Sequence, residues 1–239
     1  MHVHMPQRDK PGARVKLHAS DATEEGIMSE QKPGKETEKL HKAYAATNTD
    51  ELADAYDDWS EEYEDHMKSI GYTHPAMVTA LASRHIDDGA TPILDAGCGT
   101  GIMSEIMQAL GHDDIIGLDA SPGMLKIAGQ KGHYRNLHHM YLGETLDFDD
   151  DTFSGVVSSG VFTQGHAPLD GLDELIRVSK PGARIVFSVA RTYLDGLFDP
   201  KRKALEDVGL WRYVDESGIY NSAPLGDHLP SRVYCFEVC

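Results

Sequence analysis

The sequence predicts an α/β fold: a doubly wound, mostly parallel seven-stranded sheet with an antiparallel C-terminal edge hairpin and N-terminal helices as a lid. Three observations predict it. From Ile93 onward, short apolar runs alternate with stretches of helical period. The first run, Ile93-Leu94, ends in Asp95 and the alternating glycines Gly97, Gly99 and Gly101, and a helical pattern follows over 102–110, which reads as strand, tight loop, helix. The last two apolar runs, 210–214 and 232–238, have no helical segment between them and so pair as a hairpin.

In chain order, residues 1–35 are polar and aperiodic, with His2, His4, His18 and two Pro-Gly turns; they read as a flexible tail before a single domain over 36–239. A short helix is expected over 36–46. Asn48 or Thr49 caps the next one, with Asp50 and Glu51 placed to suit its dipole. That helix carries Leu52, Tyr56, Trp59 and Tyr63 as one stripe, is acidic elsewhere, and runs to about Gly71. Another spans 75–85. Beyond the glycine loop, 114–119 is the second strand, and Ser121-Pro122 opens a helix to Gly129. Strands at 138–142 and 153–161 follow, then a helix at 169–178, a turn at 180–182, a strand at 183–190 and a helix at 200–208.

Composition narrows the function. The net charge of -17 repels phosphate backbones, so nucleic acid is excluded as the expected partner. Cys98, Cys235 and Cys239 are an odd set without metal-ligand spacing, which fits a reducing compartment. No apolar run is long enough to cross a bilayer and no signal-peptide core opens the chain; a cytoplasmic protein without membrane or metal is the expectation.

Glycines in the loop serve a tight packed turn or the close approach of a ligand, since they take φ > 0 and carry no Cβ. A dinucleotide site calls for G-x-G-x-x-G, with a pyrophosphate on the helix N-terminus. Here the spacing is G-x-G-x-G just after Asp95, and an acid there repels phosphate and suits a cation. The segment TPILDAGCGTG resembles motif I of the class I S-adenosylmethionine-dependent methyltransferases, whose donor joins an ammonium and a sulfonium to a nucleoside. The resemblance implies a Rossmann-like fold and S-adenosyl-L-methionine as cofactor, bound by Asp95, Gly97, Cys98, Gly99 and Gly101.

Asp119 ends the second strand about twenty residues past the loop, the offset of a ribose-binding acid; the alternative is a helix-start acid. Ala120 and Met124 are small and soft enough to lie beside an adenine ring. Many relatives place an aspartate at the third strand end, where this chain has Leu142 or Gly143, leaving Glu144 or the backbone of Gly143 and Thr145 to replace it. The fourth strand ends near Gly160, where donor and acceptor meet. His166 in the following loop is the candidate general base or a residue holding loop backbone. The Asn/Asp-Pro-Pro-aromatic motif of DNA-base and glutamine methylases is absent from this loop. Tyr56, Trp59 and Tyr63 dock a helix on the core or close over the sulfonium.

The chain is also similar to the Williams–Beuren-region methyltransferase-like proteins, through YDDWSEEYEDHMKSIGYTHP, ILDAGCGTG, GLDASPGML, YLGETL, VVSSGVFTQGH and VSKPG. That resemblance implies a small, metal-independent methyltransferase and no particular acceptor. The expected function is methyl transfer to O, N or S of a small molecule, mainly by in-line positioning. The alternatives are a catalytically silent S-adenosylmethionine-binding subunit and a nicotinamide-dependent oxidoreductase, which the glycine spacing opposes. Acceptor specificity is expected in segment 193–232, where the match is poorest.

Overall fold

The computed structural model describes residues 39, 42–43, 45–46, 48–163, 165–194, 196–226 and 229–239. The tail expected over 1–35 lies outside the described residues; of the helix expected over 36–46, Lys39, Lys42, Ala43 and Ala45 are described and helical.

Helix α1 (Thr49–Asp57) starts at the expected cap. Asn48 is extended and its side chain accepts the Glu51 N–H at 2.9 Å. The single helix expected to carry the aromatic stripe is two: α1 stops at Asp57 and α2 spans Ser60–Ser69, with Trp59 between them. The Trp59 N–H bonds back only three residues, to the Tyr56 carbonyl at 3.1 Å, which tightens the turn. The gain is burial: Trp59 is 1% exposed, and an indole that size outweighs a lost turn of regular ladder. Helix α3 (His74–His85) has Pro75 in its first turn and leads to the sheet.

The strands are β1 (Ile93–Ala96), β2 (Ile115–Asp119), β3 (Asn136–His139), β4 (Phe153–Phe162), β5 (Ser179–Ala190), β6 (Trp211–Glu216), β7 (Tyr220–Asn221) and β8 (Pro230–Val238), in the order β3-β2-β1-β4-β5-β8-β6, with β7 paired to β8. Between them lie α4 (Ile102–Ala109), α5 (Pro122–Lys131), α6 (Gly171–Arg177), α7 (Arg191–Leu194) and α8 (Phe198–Asp207). β1 to β5 are parallel and β8 runs against both β5 and β6.

Three details differ from the sequence expectation. Eight strands form the sheet, because the two-residue β7 adds to the seven expected. β3 comes earlier than 138–142, since its register with β2 runs from Ile116↔Asn136 to Asp119↔His139 and ends with β2. The turn expected at 180–182 is an irregularity inside β5, where pairing jumps from Phe153↔Ser179 to Gly155↔Arg184 and Gly182 takes φ 85. The terminal strands do pair antiparallel, but β8 is inserted between β5 and β6. Its run Val233, Tyr234, Cys235, Phe236 is buried on both faces, which suits an interior strand.

The core has two parts, one on each sheet face. Adjacent residues of β1 divide between them: Leu94 joins Leu118, Val156, Phe187 and Leu175, while Ile93 joins Val78, Met103, Met107 and Val186. Strand order reverses between β1 and β4, so the crevice for a ligand opens beyond their carboxyl ends.

Candidate active site

The loop after β1 uses its three glycines differently. Gly97, Gly99 and Gly101 all take positive φ, at 76, 54 and 81°. A Cβ on Gly97 would lie 2.3 Å from Val161 Cγ2, and one on Gly101 3.0 Å from Tyr134 Cε2, whereas one on Gly99 would meet nothing within 4 Å. Packing thus explains two of them, and Gly99 alone faces open space. The Gly99 N–H donates to Asp119 Oδ2 at 2.8 Å, and the Ser121 N–H to Oδ1 at 2.9 Å. Asp119 therefore joins the glycine loop to the start of α5, and each oxygen keeps a lone pair for a further donor. Burial raises its pKa, against the lowering effect of those N–H groups.

Asp95 is the electrostatically unusual group. It is 1% exposed. Tyr134 donates to its Oδ2 at 2.7 Å, while Oδ1 has no partner among the described residues. Burial pushes its pKa up to about 7; the Tyr134 hydrogen bond opposes this and the Asp119 carboxylate adds to it. Thr100 Oγ1 and Ser159 Oγ are also buried and have no hydrogen-bond partner among the described residues. Asp95, Thr100 and Ser159, with Cys98, Tyr63 and Tyr72, line a recess of about 40 Å³. Orphaned buried acceptors are costly, and this cluster suits a cationic, hydrogen-bonding group.

A cavity of about 310 Å³ lies over the loop. It brings together Gly97, Gly99, Asp119, Ala120 and Met124 from the sheet side and Tyr56 and Tyr63 from the lid, and Gly160 and His166 also line it. Gly101 packs behind the loop against Tyr134. Gly143, Glu144 and Thr145 are exposed and stand outside the lining; Met140, Tyr141 and Leu142 occupy it instead. The early end of β3 is the reason. The chain reaches the cavity sooner, then Gly143 turns at φ 108 onto Pro168, where a Cβ would sit 2.5 Å from Pro168 Cγ.

A second cavity, of about 610 Å³, adjoins the first. Trp59, Met67, Ile70, Phe162 and Leu229 give it apolar walls. Tyr56, Tyr63, Tyr72, Gly160 and His166 line both cavities. At this shared wall Tyr56 Oη and His166 Nε2 are 2.7 Å apart, with ring centroids at 5.7 Å. Gly160 sits in an irregular stretch of β4 at φ 75, and a Cβ there would fall 2.1 Å from Tyr72 Oη. The structure separates the members of the aromatic stripe: Trp59 is core and lines the second cavity only, while Tyr56 and Tyr63 line both.

Comparison with known proteins agrees with this geometry. Residues 94–187 match the model of a methyltransferase domain. The chain is 29% identical over 195 residues to human methyltransferase-like protein 27, covering 77% of this chain and 79% of that one. It is 30% identical over 181 residues to malonyl-[acyl-carrier protein] O-methyltransferase of Salmonella typhimurium (74% of this chain, 65% of that one), and 30% identical over 144 residues to demethylmenaquinone methyltransferase of Symbiobacterium thermophilum (57% and 55%). Residues 94–187 form a methyltransferase domain of the class I S-adenosylmethionine-dependent kind. For the fold, a TehB-like S-adenosylmethionine-dependent methyltransferase from Corynebacterium glutamicum superposes with a TM-score of 0.54 at 23% identity, over 75% of this chain and 98% of that one.

Several residues around these cavities carried no signal in the sequence. Asp57 is one of seven acids in its stretch, yet its Oδ1 accepts the Gly123 N–H at 2.7 Å and a hydrogen bond from the Ser121 hydroxyl, so it caps α5 and pins the lid to it. Tyr72 and Tyr134 come to the site only through tertiary packing, whereas Ser159 and Val161 flank Gly160 at the strand end expected to face it. Among the described residues no group of His, Cys, Asp and Glu is arranged to hold a metal ion, and no helix is long and apolar enough to cross a membrane.

Proposed function

We propose that this methyltransferase holds S-adenosylmethionine across the glycine loop and transfers its methyl group to an O, N or S atom of a small molecule in the second cavity. Bound there, the donor supplies a methyl group already activated by its sulfonium. The chain's own residues bind, orient and exclude water. Asp119 accepts from ribose hydroxyls through its remaining lone pairs; Gly99 leaves room at the main chain; Ala120 and Met124 flank the base. Asp95 Oδ1, Thr100 and Ser159 receive the ammonium end, which requires Asp95 ionised. Tyr56 and Tyr63 offer ring faces and oxygens to the sulfonium. The acceptor lies against the shared wall, where His166, held by Tyr56, takes its proton when the acceptor atom carries one.

The observation that carries this reading is the pair of cavities meeting at Tyr56, Tyr63, Tyr72, Gly160 and His166. A methyl transfer needs donor and acceptor on opposite sides of one narrow seam, in line and away from water. The relatives named for malonyl-[acyl-carrier protein] and demethylmenaquinone support a small acceptor. The silent-subunit alternative calls for a blocked acceptor side. Leu197, Val208, Ile219 and Leu225 of segment 193–232 are exposed, but the second cavity is open. The test is His166→Ala. Turnover falls roughly 10²-fold or more while the melting shift with S-adenosylhomocysteine stays that of wild type; equal loss of both makes His166 structural.

A further inference from the structure

The acceptor cavity contains a second histidine that the proposed mechanism leaves unused. His74 opens α3 and is 7% exposed. It lines the second cavity and not the first. Its Nδ1 lies 2.5 Å from Tyr220 Oη, and the rings meet edge to face at 5.6 Å. Tyr220 does not line the cavity; it stands behind the imidazole on β7, which is fixed by the Tyr220↔Ser231 pairing with β8. With Nδ1 engaged, Nε2 makes no hydrogen bond among the described residues.

The free edge of the ring faces the place where transfer would occur. A Cβ built on Gly160, which belongs to the shared wall, would lie 3.6 Å from His74 Cδ2, the atom bonded to Nε2. Burial pushes the His74 pKa down to about 3, so the imidazole is neutral near pH 7, and the group that orients it is a hydroxyl rather than a carboxylate. Such an imidazole is a poor proton acceptor but a good hydrogen-bond partner.

The surrounding wall says what it would bind. In a chain with 39 Asp and Glu, no carboxylate lines this cavity among the described residues; Arg191, exposed, is its one charged residue. Apart from the imidazoles of His74 and His166, the rest is apolar or hydroxylic, including Thr163, Ser188, Ser222 and Ser231. A protonated amine would find no carboxylate there, and ring faces and hydroxyls offset less of its desolvation than an ion pair would.

We infer that His74 is a positioning residue whose Nε2 hydrogen-bonds an oxygen of the acceptor, with Tyr220 fixing the ring, and that the acceptor is an uncharged, apolar-bodied alcohol or phenol rather than a cationic amine. The inference rests on reading the larger cavity as the acceptor site.

The test is calorimetric titration of 2-naphthol and of 2-naphthylmethylamine, protonated at neutral pH, into the full chain saturated with S-adenosylhomocysteine. The naphthol binds roughly tenfold or more tightly than the amine, the size of effect expected when one partner of a buried polar contact is missing. His74→Gln, which keeps a polar group near the Nε2 position, retains affinity within about threefold, whereas His74→Asn, which mimics Nδ1, loses about tenfold. All variants keep the wild-type melting shift with S-adenosylhomocysteine. Should His74→Asn not fold, Tyr220→Phe frees the ring and is expected to lose several-fold. Equal or tighter binding of the amine, or binding of neither probe, overturns the acceptor class. Wild-type naphthol affinity in His74→Asn, or in Tyr220→Phe where that substitutes for it, overturns the positioning role. Naphthol that displaces S-adenosylhomocysteine instead sits in the donor cavity, and then it is the acceptor-site reading that fails.

Discussion

Gly97 and Gly99 share a motif and a left-handed backbone, yet the structure gives them separate work, and substitution distinguishes it. Gly97→Ala forces a methyl group onto Val161, so it destabilises by about 1–3 kcal/mol or more, read from urea unfolding. Gly99→Ala meets no atom and carries only the left-handed strain of about 1–2 kcal/mol; its larger effect is on affinity for S-adenosylhomocysteine, because the new methyl group enters the donor cavity. The opposite ranking would mean that Gly99 is there for packing. Asp95 makes a pH prediction. Its folded pKa of about 7 is above the ordinary aspartate value of 3.8, so the folded chain retains a proton that the unfolded chain releases. The stability from this group is full below pH 3.8, declines as pH rises toward 7, and is absent above. An ammonium partner needs the ionised form, so the melting shift with S-adenosylhomocysteine is larger above pH 7 than near pH 5.5 (values on either side of the Asp95 midpoint). A pH-independent shift would place the ammonium elsewhere.

Among the elements, the lid depends on one side chain. Asp57 ends α1 and caps α5 through Gly123 and Ser121. Asp57→Ala removes a cap worth about 0.5–2 kcal/mol and frees the lid, so donor release in stopped-flow speeds up several-fold while the glycine loop stays intact. Unchanged release would show that α1 does not gate the donor. The sequence disclosed the elements better than their joints. Ile93-Leu94-Asp95 and the glycines announced β1 and its loop because a central parallel strand must be apolar and the turn must allow φ > 0. Tyr56, Trp59 and Tyr63 kept helical spacing across a break that tertiary burial of Trp59 creates, and spacing cannot register that. The third strand end was misplaced because its register belongs to β2. Asp57, Tyr72 and His74 gave no signal, since their roles exist only once α1, α3, β4 and β7 converge.

At the scale of the whole molecule, the net charge of -17 repels phosphate backbones and attracts a cationic donor. Association of S-adenosylmethionine therefore slows as salt rises from about 0.05 to about 0.5 M, since the Debye length falls several-fold; a salt-independent rate would make the charge irrelevant to binding. The acidic composition, the alternating elements and the reversal of strand order between β1 and β4 were all legible and together place the crevice. The second cavity was legible only through segment 193–232, because most of the rest of its lining comes from α1, α2, the start of α3 and β4, whose sequences have no common period. The account stands on one interaction pattern: a nucleoside amino acid lying over Gly99 with its sugar on Asp119. Calorimetric titration of S-adenosylhomocysteine and of NAD into wild type and Asp119→Ala tests it most directly. The account predicts that wild type binds S-adenosylhomocysteine and not NAD, and that Asp119→Ala weakens it several-fold or more; binding of NAD alone, or unchanged affinity in the variant, would contradict it.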